Sequence, residues 1–221
     1  SNLAVSLKNQ GYKVGLIDAD IYGPSIPLMF DAENIKPRVL KKHNRSFMEP
    51  VQSYGVSIMS IGFFASPGQA VVWRGPMATK ALKEMINQTY WGDLDYLLID
   101  LPPGTGDIHL SIVQSLSLTG AIIVTTPQPV SLVDAKKAIN MFKKKDINVP
   151  VIGVIENMSW LLVQDKKHYI FGKDGGKRLS NSESVELLAE IPLQQTIREA
   201  GDVGRPAALQ ETETGILFNR L

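Results

Sequence analysis

The 221-residue sequence contains no cysteine. Disulfides, thiol nucleophiles and thiolate-held metal or iron–sulfur sites are therefore excluded for these residues. An excess of charge is also lacking: 23 Lys and Arg stand against 22 Asp and Glu, a net charge of +1. That excludes a global basic field for nucleic acid but leaves room for a local patch. No apolar run approaches the ~20 residues of a membrane span, and no charged-then-apolar leader opens the chain. On these absences the protein is expected in the cytoplasm, with neither membrane nor nucleic acid as partner. Histidine is scarce: His43, His109 and His168 lie far apart without i, i+4 pairing, which gives a histidine-based zinc site little support. The remaining composition, 44% apolar and 20% charged, is that of an ordinary globular protein. The length suits one large α/β domain or two small ones.

Short apolar runs alternate with helix-length amphipathic segments. Val14 to Asp18, Tyr96 to Asp100, Ala121 to Thr125 and Val151 to Ile155 read as strands, and Leu187 to Ile191 as a weaker fifth. Continuous apolar runs of this kind suit strands covered on both faces, as in a parallel sheet. The opening SNLAVSLKNQG reads as a helix ending at Gly11. Pro76 to about Tyr90 reads as a second helix, with proline near its first turn. Leu132 to about Lys145 reads as a third, with Ala135, Ala138, Ile139 and Phe142 at helical spacing and Lys143 to Lys145 in its last turn. Repeated strand and helix argue a doubly wound, mostly parallel α/β sheet with helices on both faces. The polar, basic stretch from Ile35 to Met48 reads as a surface hairpin or loop, with a basic contact patch as the alternative.

A helix entering the Val14 strand normally comes from a preceding parallel strand. Four buried aliphatic residues in such a strand, each worth ~1.5–3 kcal/mol, would supply ~6–12 kcal/mol, comparable with the ~5–15 kcal/mol stability of a domain. Another strand and loop are therefore expected upstream of Ser1.

Three strand ends carry acidic or amide groups. Asp18-Ala-Asp20-Ile-Tyr-Gly23-Pro-Ser25 places two carboxylates after a strand and before a Gly-Pro turn. Asp100-Leu-Pro-Pro-Gly104-Thr-Gly106-Asp107 is an apolar strand ending in Asp, followed by a Pro/Gly loop, the Walker B and switch arrangement of nucleotide hydrolases. Glu156-Asn157-Met158 follows the Val151 strand. Ligands of open α/β sheets bind outside the carboxyl ends of strands. Mg²⁺ takes oxygen ligands, often through retained waters and one or two carboxylates; Asp18 and Asp100 would supply that charge. Asp20 would orient or deprotonate an attacking water. Gly104 and Gly106 would let backbone N–H groups approach a terminal phosphate. An Asn at a strand end offers donor and acceptor to a purine edge. Each motif alone is weak, since a strand-end Asp often caps the next helix and a Pro-Pro-Gly loop is often only a rigid turn. Their order on successive strands is more specific.

The segments GLIDADIYGPSIP, MSIGFF, VVWRGPM, LLIDLPPGTGD, TTPQPVSLVDAKKAI and GVIENMSW resemble the Mrp/ApbC branch of the MinD/ParA-like P-loop ATPases, described as iron–sulfur cluster carriers or scaffolds. The similarity runs over nearly the whole chain. It implies a single P-loop NTPase domain over residues 1–221 lacking its first strand and Walker A loop, with ATP and Mg²⁺ as cofactors. It also implies a homodimer that meets iron–sulfur client or scaffold proteins and hydrolyses ATP slowly as a switch. By the resemblance Asp20 is the hydrolysis-linked carboxylate and Asp18 its switch I partner. Asp100 is the Walker B Asp, with Asp18 and Asp100 meeting Mg²⁺ through water. Gly104 and Asp107 fall in switch II, Asn157 is the adenine-contacting Asn, and Pro192 opens the loop that closes over the base. In the family, SNLA directly follows a phosphate loop of the GKGGVGKST kind.

Many members carry a Cys-x-x-Cys after the ENMS motif, and two such pairs bridge a [4Fe–4S] cluster between subunits. Here that stretch, Trp160 to Phe171, has no thiolate. Two other readings remain open from sequence: an ATP-driven partitioning or positioning switch, and an ATP-binding adaptor without turnover. Arg74, before a helix start, would pair with phosphate or with a carboxylate. His109 reads as a capping or packing residue and His168 as a loop residue.

Overall fold

In a computed structural model of the protein, residues 1–42, 45–64 and 75–221 are described. The elements run α1 Asn2–Asn9, β1 Val14–Asp18, α2 Ile26–Met29, β2 Arg38–Lys42, β3 Arg45–Glu49, β4 Val51–Ser53, β5 Val56–Ser60, α3 Gly75–Asn87, β6 Tyr96–Asp100, α4 Asp107–Ser115, β7 Ala121–Thr125, α5 Pro129–Phe142, β8 Val151–Glu156, β9 Leu161–Val163, β10 Lys166–His168, α6 Gly175–Glu183, β11 Glu186–Glu190, α7 Gln195–Asp202 and α8 Glu213–Asn219. They fall into two compact units, residues 1–103 with 196–221, and residues 104–195. His43 and Arg74 lie outside the described residues.

In the first unit the sheet order is β4-β5-β1-β6. The pairs β1–β5 and β1–β6 are parallel, and β4 adds antiparallel to β5. Every residue of β1 is buried, which is what an uninterrupted Val-Gly-Leu-Ile run requires. Gly15 within it has no room for a side chain: a Cβ there would sit 2.6 Å from Leu94 Cδ1 and 2.7 Å from Leu97 Cδ1. Helix α1 ends as expected, with Gly11 at φ +95° just beyond the C-cap Gln10. The Asn9 amide donates to the Ala208 carbonyl at 3.0 Å, tying α1 to the chain's last segment. Helix α3 buries Ala78, Leu82, Met85 and Ile86 at i, i+4, i+7, i+8. It stops at Asn87 rather than near Tyr90, because Thr89 leaves the helix to bridge Met48 and the Tyr90 N–H donates to the Met48 carbonyl. The basic stretch is an antiparallel hairpin, β2–β3, with Leu40 opposite Phe47. Strand β6 pairs with β1 alone among the described residues, and its Tyr96 and Leu97 are 42% and 38% exposed. A hollow of about 400 Å³ lies at the N-terminal end of β1, lined by Lys8, Tyr12, Lys13 and Trp91, at the end of the strand opposite Asp18.

In the second unit β11, β8 and β7 form a parallel sheet in that order. Helix α5 spans Pro129 to Phe142, so Lys144 and Lys145 fall outside it and Lys143 is its C-cap. The expected lysine-rich last turn is thus corrected. The chain turns back there, with the Val149 N–H donating to the Phe142 carbonyl. The Lys143 ammonium donates to the Glu183 carbonyl at 2.6 Å, and Lys136 pairs with the Glu183 carboxylate at 2.8 Å. His168 is an exposed residue of β10 rather than of a loop, because Gln164 and Asp165 adopt φ +48° and +59° and close a β9–β10 hairpin. Among the described residues, no helix is long and apolar enough to cross a membrane.

Candidate functional site

The first unit brings together Asp18, Asp20 and Asp100. Asp18 and Asp100 end β1 and β6 as register partners, and Ser60 ends β5 opposite Asp18. Asp18 is 1% exposed, and its carboxylate is answered on both oxygens. Its Oδ1 accepts the Asp20 N–H at 3.2 Å. Its Oδ2 accepts the Ile26 N–H at 3.2 Å and the Ser60 hydroxyl at 3.0 Å. Burial pushes the Asp18 carboxyl up to about 6. The three hydrogen bonds oppose that rise, and the neighbouring Asp100 charge adds to it. Desolvation also raises Asp100, and the Asp20 charge works in the same direction.

Asp20 is only partly buried. Its Oδ1 accepts the N–H groups of Tyr22 and Gly23, each at 3.1 Å, so the loop after β1 winds around one oxygen. Among the described residues, its Oδ2 accepts no hydrogen bond. The Ala19 N–H donates to the Asp100 carbonyl at 2.9 Å, which continues the β1–β6 ladder one residue past the strands.

A fully ionised carboxylate offers about four acceptor directions. Asp18 spends three of them on protein donors. What is left suits contact with a hydrated cation through water rather than direct chelation. Among the described residues, no group of three or more His, Cys, Asp or Glu side chains is arranged to hold a metal. Oxygen donors of this kind fit a hard cation such as Mg²⁺ met through its waters.

The second unit holds Gly104, Asp107, Asn157 and Pro192. Gly104 has φ +97° with open space around its Cα, a conformation that favours glycine. The Asp107 backbone opens α4. Asn157 follows β8 directly, and Pro192 lies two residues past the end of β11. The Asn157 N–H donates to the Thr125 carbonyl at 2.7 Å, and Asn157 Oδ1 accepts the Met158 N–H at 3.0 Å. The Ser159 N–H donates to the Ile191 carbonyl at 2.9 Å, so the segments carrying Asn157 and Pro192 are fastened to each other. His109 is buried in α4, consistent with packing.

Two residues assume roles that the sequence did not suggest. Ser60 is one, because its meaning lies in the β1–β5 register and no local signal announces it. Glu156 is the other: 1% exposed, it accepts the Gly176 N–H at the N-terminus of α6. The sequence places Glu156 only in the Glu156-Asn157-Met158 strand end, without this contact. Gly175 and Gly176 have no space for side chains, since a Cβ on Gly175 would lie 2.4 Å from the Pro127 carbonyl oxygen.

The sequence pattern of the ParA family (NUBPL iron-transfer P-loop NTPase) matches residues 1–219. The chain is 46% identical over 96% of its length to an iron–sulfur cluster carrier protein of Escherichia coli K12, of which it spans 57%. It is 44% identical over 98% of its length to a protein of the same name from Aquifex aeolicus, spanning 59% of that relative. Among solved structures it resembles a nucleotide-binding protein in complex with ADP from Archaeoglobus fulgidus. That match has 36% identity and a TM-score of 0.79, and covers 92% of this chain and 79% of the other. It also resembles the septum site-determining protein MinD with Mg-ADP from Pyrococcus horikoshii, at 25% identity, with a TM-score of 0.66 and 99% and 85% coverage. With its parallel sheets, its strand-end carboxylates and these likenesses, the chain belongs to the ParA family of P-loop NTPases, on the iron–sulfur carrier side of that family.

Proposed function

We propose that the protein is an ATP-binding, magnesium-dependent ATPase of the slow, nucleotide-switch kind that serves iron–sulfur cluster assembly or transfer in the cytoplasm as a homodimer. One observation carries this reading. Asp18 and Asp100 end neighbouring parallel strands in register, and backbone N–H groups hold Asp20 beside them with one oxygen unspent. ATP hydrolysis needs positioning and charge stabilisation more than covalent chemistry. Asp20 Oδ2 orients the attacking water and accepts its proton. Asp18 and Asp100 would hold hydrated Mg²⁺ through its waters, and the ion, when bound, would neutralise triphosphate charge. Gly104 lets the backbone come close to the terminal phosphate, and Asp107 belongs to the same switch segment. Asn157 presents its amide to the adenine edge, and Pro192 begins the segment that covers the base.

The whole of 1–221 is read as a single nucleotide-binding domain. Among the described residues no strand pairs with the outer edge of β6, which supports a further parallel strand alongside it, leading into the glycine-rich phosphate loop. The cluster is cargo in this reading. These 221 residues contain no cysteine, so thiolates that hold it come from elsewhere in the protein or from the iron–sulfur client or scaffold protein.

The test is isothermal calorimetry with ATP and Mg²⁺ on the full-length protein, with phosphate release measured in parallel. Micromolar uptake with slow turnover supports the reading. Absence of ATP uptake overturns it, and uptake without turnover leaves an adaptor. Anaerobic reconstitution with iron and sulfide, followed by visible absorbance, tests the cargo separately.

A further inference from the structure

We infer that Ser60 is a positioning residue for ATP hydrolysis, acting through Asp18 on the loop that presents Asp20. The inference rests on the proposed function and adds a residue to it.

Ser60 is fully buried at the end of β5. Its hydroxyl has one proton to give. Its Oγ accepts the Gly62 N–H at 3.0 Å, as the N-cap of the short 3₁₀ turn Ile61–Phe63, so an acceptor direction is already spent. The proton goes to Asp18 Oδ2 at 3.0 Å. Asp18 in turn holds both ends of the 19–25 loop, the Asp20 N–H on Oδ1 and the Ile26 N–H on Oδ2. Without the hydroxyl, Oδ2 keeps a single backbone donor, and a buried carboxylate that loses a charge-assisted hydrogen bond is free to turn toward water or toward other donors. Either rotation pulls on the Asp20 backbone. Asp20 winds the loop around its own Oδ1, so a shift of its N–H is carried to the oxygen that faces the water. The chain of contacts thus runs from Ser60 to Asp18 and from the Asp20 N–H to the Asp20 carboxylate.

A displacement of that kind costs turnover more than binding, because misplacing a reacting group by about 1 Å is enough to lose on the order of 100-fold in rate. The test compares Ser60→Ala, Ser60→Cys and Ser60→Thr in the full-length protein. Ser60→Ala is expected to lower kcat for ATP hydrolysis about tenfold or more with KM for ATP within about twofold. Ser60→Thr, which keeps the hydroxyl, is expected to recover most of the loss. Ser60→Cys keeps the outline with a weak donor and carries the same expectation as Ser60→Ala should that variant fail to fold. Amide hydrogen exchange without nucleotide gives a second readout: the Asp20 and Ile26 amides should exchange about tenfold faster in Ser60→Ala or Ser60→Cys than in wild type. An unchanged kcat in a folded variant, unchanged exchange at those two amides, or equal losses in Ser60→Ala and Ser60→Thr would overturn the inference. If wild type itself does not turn over ATP, the functional reading falls, and the exchange experiment still decides whether Ser60 holds the loop.

Discussion

Asp18 and Asp100 are register partners on adjacent parallel strands, so two carboxyl groups leave the sheet side by side, that of Asp18 buried and that of Asp100 open to solvent. The carboxyl of Asp18 is raised from 3.8 to about 6, by burial first. Between those values the folded state holds a proton that the unfolded chain has released. Stability therefore falls as pH rises through this window, and above about 6 the full cost of a buried anion is present. Asp100 is raised for the same reason and reinforces the trend. In the absence of nucleotide and Mg²⁺, the protein is expected to be about 1 kcal/mol more stable to urea at pH 5 than at pH 7 from Asp18 alone. Asp18→Asn should flatten that difference. A denaturation midpoint that rises between pH 5 and 7, with no response to the substitution, would contradict the burial argument.

Removing the Asp20 carboxylate separates binding from turnover. Asp20→Ala in the full-length protein should depress ATP hydrolysis about 100-fold or more while ATP affinity stays within a few-fold, as befits a group that handles the water. Phosphate release and calorimetry on the same preparation check this. Equal losses of affinity and rate would assign Asp20 to binding instead.

Gly175→Ala should destabilise the protein by roughly 1–3 kcal/mol, because the new methyl would meet backbone atoms of Pro127 that no rotamer change can move aside. The measurement is a urea or thermal midpoint. Gly106→Ala is the control, since a Cβ there meets nothing within 4 Å.

Glu156→Ala strips the carboxylate that receives the Gly176 N–H inside the protein. Leaving that donor unsatisfied is expected to cost about 1–3 kcal/mol. The loss should appear as faster amide exchange in the first turn of α6 and a lower melting temperature. Glu156→Gln keeps an acceptor oxygen and should recover part of both.

The strands that could be read beforehand are those whose sequence is continuously apolar up to a polar end: VGLID, YLLID, AIIVT and VIGVI all became strands within a residue of their expected limits, although only VGLID is buried throughout. Strand β5 was recognisable only as part of a family segment, because Val56-Ser-Ile-Met-Ser60 interleaves serines with aliphatics over just five residues. The β9–β10 hairpin escaped because each arm has three residues and the lower arm is Lys-Lys-His. Helix ends were shifted where tertiary partners intervened, as Met48 does at the end of α3. The site shows the same division. Asp18, Asp20 and Asp100 were legible because they punctuate apolar strands. The hydrogen bonds that make Asp18 a tether for the loop were not, since Ser60 and Ile26 are separated from it by 42 and 8 residues and meet it only through the sheet register and the turn into α2.

The bare flank of β6 has a consequence for handling the protein. Among the described residues no strand pairs with that flank, and an open strand edge beside the exposed Tyr96 and Leu97 is a template for another strand. A further strand there, as the proposed function has it, would take up those groups and shield Tyr96 and Leu97, so its presence decides whether other molecules can extend the sheet.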